Sequence, residues 1–207
     1  NFPSTMITRK CAPALTVGCT VVIKPASQTP YSALALAVLA KEAGFPDGVI
    51  NIITGTANAI GKELTENPLV RKISFTGSTE VGKILLKQSA STVKKVSMEL
   101  GGHAPFVVFD DANIDEAVTG AIQSKFRNSG QTCICANRIF VHENIYDEFL
   151  NKFVEEVNKI KVGNGLEEGI VSGPLIDQLS LMKVDDHVKD AVNQGAKIAA
   201  GGDIHSL

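Results

Sequence analysis

Short apolar runs, separated by longer stretches of helical pattern, constrain this chain more than any other feature. CTVVIK (Cys19–Lys24), Val49–Ile53, RKISFT (Arg71–Thr76) and Val93–Leu100 read as strands. The first is continuously apolar, as suits a strand covered on both faces. The stretches between them read as helices. Pro3–Leu15 has Pro3 at a tolerated first-turn position, and Pro13 is expected to kink or end it. A second helix opens at Thr29-Pro30, runs to Ala43 and stops at Gly44. Ala57–Thr65 is a third, and Gly77-Ser78-Thr79 opens a fourth that runs through Ser89. Strand–helix alternation of this kind builds right-handed βαβ units and a parallel, doubly wound sheet.

A second series follows the Gly101-Gly102 pair. Pro105–Phe109 and Arg138–His142 read as strands. Asn113 caps a helix whose first turn holds Asp115 and Glu116, where the helix dipole favours acids. Ile145–Lys161 is a helix with Ile145, Phe149, Phe153, Val157 and Ile160 on one face. Gly163–Gly173 is a glycine-rich loop, and a helix near Leu179–Gln194 and a strand near Lys197–Ala200 complete the series. The expected division is therefore 1–101 and 102–207. The chain opens on Asn1 rather than Met and closes on GGDIHSL, so both ends read as cuts in a longer protein.

With 44% hydrophobic residues the chain can bury a sizeable core. Twenty basic and 22 acidic residues leave a net charge of −2, which implies no basic face and no nucleic-acid partner. The four cysteines form no CxxC pair and the histidines stand at no metal-ligand spacing, so no metal is expected. The cysteines suggest no disulfide framework, and with no signal-peptide pattern the expected location is cytoplasmic. The most apolar run, Ala33–Ala40, is too short to span a membrane.

KFRNSGQTCICA (Lys125–Ala136) sets Cys133 just past a Gly-Gln-Thr turn at the end of a helix that Asn128, Ser129 and Gly130 stop. A thiol on a rigid turn is a candidate nucleophile; a buried, inert cysteine is the plainer alternative. Cys135 is either a resolving thiol for Cys133 or a small buried side chain. FTGSTEVG (Phe75–Gly82) can offer helix N-terminal N–H groups to a phosphate, although on its own it reads more readily as a tight packing turn. Lys24, followed by Pro25, Ala26 and Ser27, ends the first strand, where doubly wound sheets bind ligands; the alternative is a solvated lysine. Glu99, in MELGG, is expected in a partly apolar cleft that raises its pKa towards that of a general base; the alternative is an exposed strand-end carboxylate. Arg9 and Arg127 suit a substrate carboxylate, and each is otherwise a surface residue.

Taken together, these stretches resemble the aldehyde dehydrogenase superfamily over essentially the whole chain. NFP at Asn1, KPASQTP at Lys24–Pro30, FTGSTEVG, MELGG at Met98–Gly102 and GQTC at Gly130–Cys133 stand in the family's order and approximate spacing. NFPSTMITRK, KPASQTP and SKFRNSGQTCICAN are most similar to the succinate-semialdehyde dehydrogenase branch. The resemblance implies a Rossmann-like dinucleotide-binding domain over 1–101 and part of an α/β catalytic domain over 102–207. It implies that Cys133 is the nucleophile, that Asn1 supplies an amide to the oxyanion, and that Glu99 is the base. Lys24, Pro25, Ala26, Ser27, Gly77, Ser78 and Leu100 match cofactor-binding positions. Arg9 and Arg127 match the arginines that hold the substrate carboxylate.

The activity so implied is NAD(P)-dependent oxidation of succinate semialdehyde to succinate, as in 4-aminobutyrate degradation. Glutarate semialdehyde is the alternative substrate, and a non-catalytic nucleotide-binding protein the alternative class. Ser27 stands where NAD-preferring relatives carry Glu, so NADP is expected, with NAD a second possibility. The expected partners are an aldehyde bearing a carboxylate and copies of the same chain, as a dimer or tetramer. The family's later Glu-Phe segment, which holds the cofactor ribose, lies outside these 207 residues, as do segments used for oligomerisation.

Overall fold

A computed structural model describes residues 1–206 and divides the chain into two units, Asn1–Gly101 and Gly102–Leu207. In the first, α1 (Pro3–Thr16) precedes β1 (Val21–Ile23), α2 (Tyr31–Glu42), β2 (Ile50–Ile52), α3 (Ala57–Glu66), β3 (Lys72–Thr76), α4 (Thr79–Ser89) and β4 (Lys95–Glu99). β1 pairs parallel with β2, Val21 opposite Ile50; β3 pairs parallel with β4, Thr76 opposite Glu99. Each pair is joined through a helix, as parallel strands require.

Two details depart from the sequence expectation in this unit. α1 runs through Pro13 to Thr16 rather than kinking or ending there. Pro13 lies in the last turn on an exposed face, so the N–H it lacks would have met only the Arg9 carbonyl, also on an exposed residue. β4 begins at Lys95, not Val93, because Val93 is left-handed (φ 50°) and ends a 3-10 turn over Ala90–Thr92.

In the second unit, β5 (Ala104–Val108) and β6 (Ala136–Val141) pair parallel through α5 (Ile114–Phe126), and α6 (Tyr146–Asn158) and α7 (Gln178–Asn193) follow. Val108, Val118, Ala121 and Phe149 form the buried core, with Phe106, Ile122, Ile139 and Phe153 packed against it. The Phe149 and Phe153 rings stack at 5.6 Å. Ala104 faces Ala136 but Pro105 faces Arg138, which leaves Asn137 as the extra residue of a bulge. Pro105 has no N–H to give to the ladder, and bulges are where strands accommodate proline.

The helix expected over Ile145–Lys161 is α6 preceded by a 3-10 turn at Glu143–Ile145. The strand expected near Lys197–Ala200 does not form. Among the described residues no strand pairs with that segment, and a lone extended stretch has no ladder to hold it.

Candidate functional site: the thiol turn and the strand-end hollow

The thiol turn belongs to the second unit. α5 ends at Phe126, and Asn128 (φ 54°), Ser129 (φ 54°) and Gly130 (φ 73°) are left-handed in succession. Glycine takes that conformation freely. For Asn128 and Ser129 it costs about 1–2 kcal/mol per residue, which the surrounding bonds must outweigh. Asn128 Nδ2 donates to the Gln131 carbonyl at 3.1 Å, and Gln131 N to the Asn128 carbonyl at 3.0 Å. Ser129 Oγ lies 3.0 Å from Ser172 Oγ and donates to the Gly173 carbonyl at 3.1 Å.

The turn separates the two neighbouring thiols. Cys133 is exposed, whereas Cys135 is 1% exposed. Cys135 Sγ donates to the Lys125 carbonyl at 3.3 Å, and Lys125 Nζ lies 3.7 Å from that sulfur and 2.9 Å from Asn137 Oδ1. The last turn of α5 is therefore tied to the bulge of β6, and the thiol turn is the strap between them. Of the two chemistries open to this pair, a nucleophile suits Cys133, and Cys135 is the anchored, buried side chain.

Beside the turn lies a hollow of about 290 Å³ lined by Gly120, Gln123, Ser124, Arg127, Thr132 and Ile134. Thr132 and Ile134 flank Cys133 in sequence, and Cys133 itself does not line the hollow. Arg127, one of the two arginines singled out in the sequence, lines it. Gln123 and Ser124 were not legible as site residues. They stand in the last turn of α5, just before Arg127.

In the first unit, Lys24, Pro25, Ala26 and Ser27 line a second hollow of about 250 Å³ at the carboxyl ends of β1 and β2. Pro30, Thr54 and Gly55 complete it, and the last two follow β2 as Lys24 follows β1. Lys24 Nζ donates to the Pro25 carbonyl at 2.9 Å, which fixes its position while leaving two N–H groups. At the next crossing, Ser78 caps α4, its Oγ accepting from Val81 N at 3.3 Å, and Gly77 N donates to the Glu99 carbonyl at 3.1 Å. A Cβ on Gly77 would meet Phe75 Cζ at 2.4 Å, and one on Gly82 would meet Leu100 Cδ2 at 2.6 Å. Side chains at these glycines would press on the ends of Phe75 and Leu100, and the second contact lays Leu100 against the first turns of α4.

Glu99 corrects the sequence expectation. It ends β4 exposed, not in a partly apolar cleft: only the two end residues of the strand, Lys95 and Glu99, are exposed. Asn1 and Arg9 are exposed, before and on α1. Lys10, which the sequence reading missed, is half-buried: Nζ donates to Ser74 Oγ at 2.8 Å and to the Phe75 carbonyl at 3.3 Å. Burial pushes its pKa down, and the Glu99 carboxylate partly opposes that shift. No signal in the sequence singles out Lys10 beyond its place next to Arg9. Among the described residues no group of three His, Cys, Asp or Glu side chains could hold a metal, and no helix is long and apolar enough to cross a membrane.

An α/β chain with parallel strand pairs, a strand-end hollow carrying Lys-Pro-Ala-Ser and an exposed thiol on a braced turn places the protein in the α/β class. The particular family is equally plain: the aldehyde dehydrogenase family profile matches residues 1–206, and the chain belongs to that family. It is 59% identical over 205 residues to the succinate-semialdehyde dehydrogenase (NADP(+)) of Escherichia coli strain K12, covering 99% of this chain and 42% of the relative. It is also 59% identical to the glutarate-semialdehyde dehydrogenase of Pseudomonas aeruginosa, over 100% of this chain and 43% of the relative. A crystal structure of an E. coli NADP-dependent enzyme superposes with a TM-score of 0.98 at 58% identity, over 99% of this chain and 43% of that one. The chain thus spans well under half the length of these proteins.

Proposed function

We propose that the protein oxidises succinate semialdehyde to succinate with NADP. The observation that carries this is the exposed Cys133 on its braced turn, beside a hollow lined by Arg127. Cys133 as thiolate attacks the aldehyde carbon and forms a thiohemiacetal. The Cys133 backbone N–H and the Asn1 amide stabilise the developing oxyanion, the kind of preorganised contact that contributes most to such chemistry. Loss of hydride from the thiohemiacetal leaves a thioester on Cys133, and water activated by Glu99 hydrolyses it to the acid. Glu99 is also the group that takes the Cys133 proton before attack.

The hollow at Lys24–Ser27 fits a nucleotide ribose and its phosphate: it lies at strand carboxyl ends and offers an ammonium and a hydroxyl. The Ser78 cap leaves first-turn N–H groups of α4 for a phosphate, and Gly77, Gly82 and Leu100 shape that crossing. When bound, NADP supplies the hydride acceptor. Residues 1–101 then form a cofactor-binding domain and 102–207 part of a catalytic domain. The same reading makes the intact protein a cytoplasmic homo-oligomer.

Glutarate semialdehyde is the second substrate reading, supported by the Pseudomonas relative's name. One methylene changes discrimination by only about 1–3 kcal/mol, which two arginines do not override. The deciding experiment is kcat/KM of the intact protein across dicarboxylic semialdehydes with NADP and with NAD. Preference for an uncharged aldehyde would overturn the substrate class. A protein that binds nucleotide but forms no aldehyde-derived thioester on Cys133 would belong to the non-catalytic alternative.

A further inference from the structure

The Gly163–Gly173 loop is absorbed by none of the roles above, yet it is built with care. Val162 and Ser172 form an isolated parallel bridge, Gly163 N donates to the Ser172 carbonyl at 3.0 Å, and the Val171 and Ser172 N–H groups both reach the Lys161 carbonyl at 3.2 Å. A Cβ on Gly163 would touch Ile170 Cδ1 at 3.0 Å, so the loop closes on its own apolar side chain. The closed loop presents Ser172 Oγ and the Gly173 carbonyl to Ser129, 43 and 44 residues away in sequence.

Ser129 is the middle of the three left-handed residues, four positions before Cys133. It has a Cβ, so its φ of 54° is disfavoured. The Asn128–Gln131 bonds close the turn around it, and the two contacts of its hydroxyl tie it to the rest of the unit. On the far side of the thiol, Cys135 is buried and tied to Lys125. The strap carrying Cys133 is therefore packed down at its downstream end by the buried Cys135, through weak sulfur bonds, and hydrogen-bonded at its upstream end through Ser129.

We infer that Ser129 is a positioning residue for Cys133, and that the Gly163–Gly173 loop, through Ser172 and Gly173, is the clasp that holds the thiol turn in its reactive conformation. The inference rests on Cys133 as the nucleophile. A displacement of about 1 Å at a reacting group can lower a rate about a hundredfold, so loosening the clasp acts on the chemical step and not on the cofactor hollow of the first unit.

The test compares Ser129→Ala, which removes both contacts, with Ser172→Ala, which removes one, and Ser172→Thr, which keeps the hydroxyl, all in the intact protein. Turnover is measured with succinate semialdehyde and NADP, and Cys133 alkylation by iodoacetamide is followed as a function of pH. Ser129→Ala should lower kcat at least tenfold, Ser172→Ala by less, and Ser172→Thr should stay within twofold of the wild type. KM for NADP should remain within twofold throughout, and the pH-independent alkylation rate of Cys133 should change in the same order as kcat. A Ser129→Ala protein with wild-type kcat and alkylation profile would overturn the inference, as would a parallel loss of NADP affinity. A wild type whose turnover survives Cys133→Ala would instead refute the nucleophile, and the alkylation series would still judge the clasp.

Discussion

A Cβ built on Gly102 would stand 2.5 Å from the carbonyl oxygen of Cys133, closer than side-chain carbon and backbone oxygen ever pack. Gly102 is thus the floor of the thiol turn. The obstacle is backbone, so no side chain can swing aside to admit a methyl group. Gly102→Ala must move either the turn or the strand leading to Ala104. We expect kcat to fall about a hundredfold, the scale of a 1 Å misplacement, with KM for NADP little changed. Turnover of the alanine variant within threefold of the wild type would show that the loop before β5 absorbs the shift.

The two cysteines should behave oppositely. Cys133→Ala should abolish aldehyde oxidation and leave cofactor binding near normal. Cys135→Ala should retain activity, because its anchoring bonds are those of a weak sulfur donor and acceptor. Its burial also argues against the resolving-thiol role, which requires access. Treatment with peroxide decides between them: wild type and Cys135→Ala should lose activity at the same rate and recover equally with dithiothreitol. Recovery confined to the wild type would restore the redox role.

Cofactor choice follows from the hollow at the end of β1. Ser27 is exposed and neutral, and Lys24 lines the same hollow. A 2′-phosphate meets a cation there and no opposing carboxylate. NADP should give the higher kcat/KM, and Ser27→Glu should reverse the preference by placing a negative charge in the hollow while offering acceptors to both ribose hydroxyls. A wild-type protein that favours NAD would contradict this account.

How far the sequence could be read depends on how local the cause is. Asn113 was legible as a cap because its acceptor serves N–H groups two and three residues on, at Asp115 and Glu116. The end of α5 was legible because Asn, Ser and Gly stand together there, although Gly130 alone would have sufficed and all three turn left-handed. What the sequence concealed is set by distant partners. Lys10 is defined by Ser74 and Phe75, 64 and 65 residues away. Gly102 is defined by the Cys133 carbonyl, and Ser129 by Ser172. The short apolar run Ile198–Ala200 suggested a strand where no partner strand is described.

Acid should loosen α7 in a definite window. Asp177 Oδ1 accepts from Ser180 N at 2.8 Å, and the Ser180 side chain first, then this backbone bond, hold the Asp177 carboxyl below its ordinary value. A depressed folded-state pKa means the cap's contribution is fully present above the unfolded value, near 3.9, and is lost as pH falls through the folded one. Amide exchange in the first turn of α7, corrected for intrinsic rates, should therefore be as protected at pH 6 as at pH 5 and should lose protection below about pH 4. Asp177→Asn keeps a capping oxygen without a titrating proton, so its protection should vary little with pH. A wild-type profile as flat as that of the asparagine variant would remove the carboxylate from the cap.

Under the proposed function, substrate selection should turn on the two arginines. Arg127 lines the hollow beside the thiol, six residues before Cys133, and Arg9 is exposed on α1 of the other unit. A semialdehyde carries its carboxylate a few atoms from the reacting carbonyl, so a guanidinium near the thiol can hold one end while Cys133 attacks the other. A carboxylate that loses a charge-assisted hydrogen bond forfeits about 1.5–3 kcal/mol, or roughly tenfold to a hundredfold in kcat/KM. Arg127→Ala and Arg9→Ala should each weaken oxidation of succinate semialdehyde by at least tenfold, while an uncharged aldehyde of similar length loses less than threefold. Arg127→Lys should recover only part of the loss, because an ammonium keeps the charge but not the paired, planar contact. Guanidinium added to the Arg127→Ala protein should raise its rate with succinate semialdehyde and not with the uncharged aldehyde. Equal losses on both substrates would make the arginines structural and would remove the carboxylated aldehyde as the substrate class.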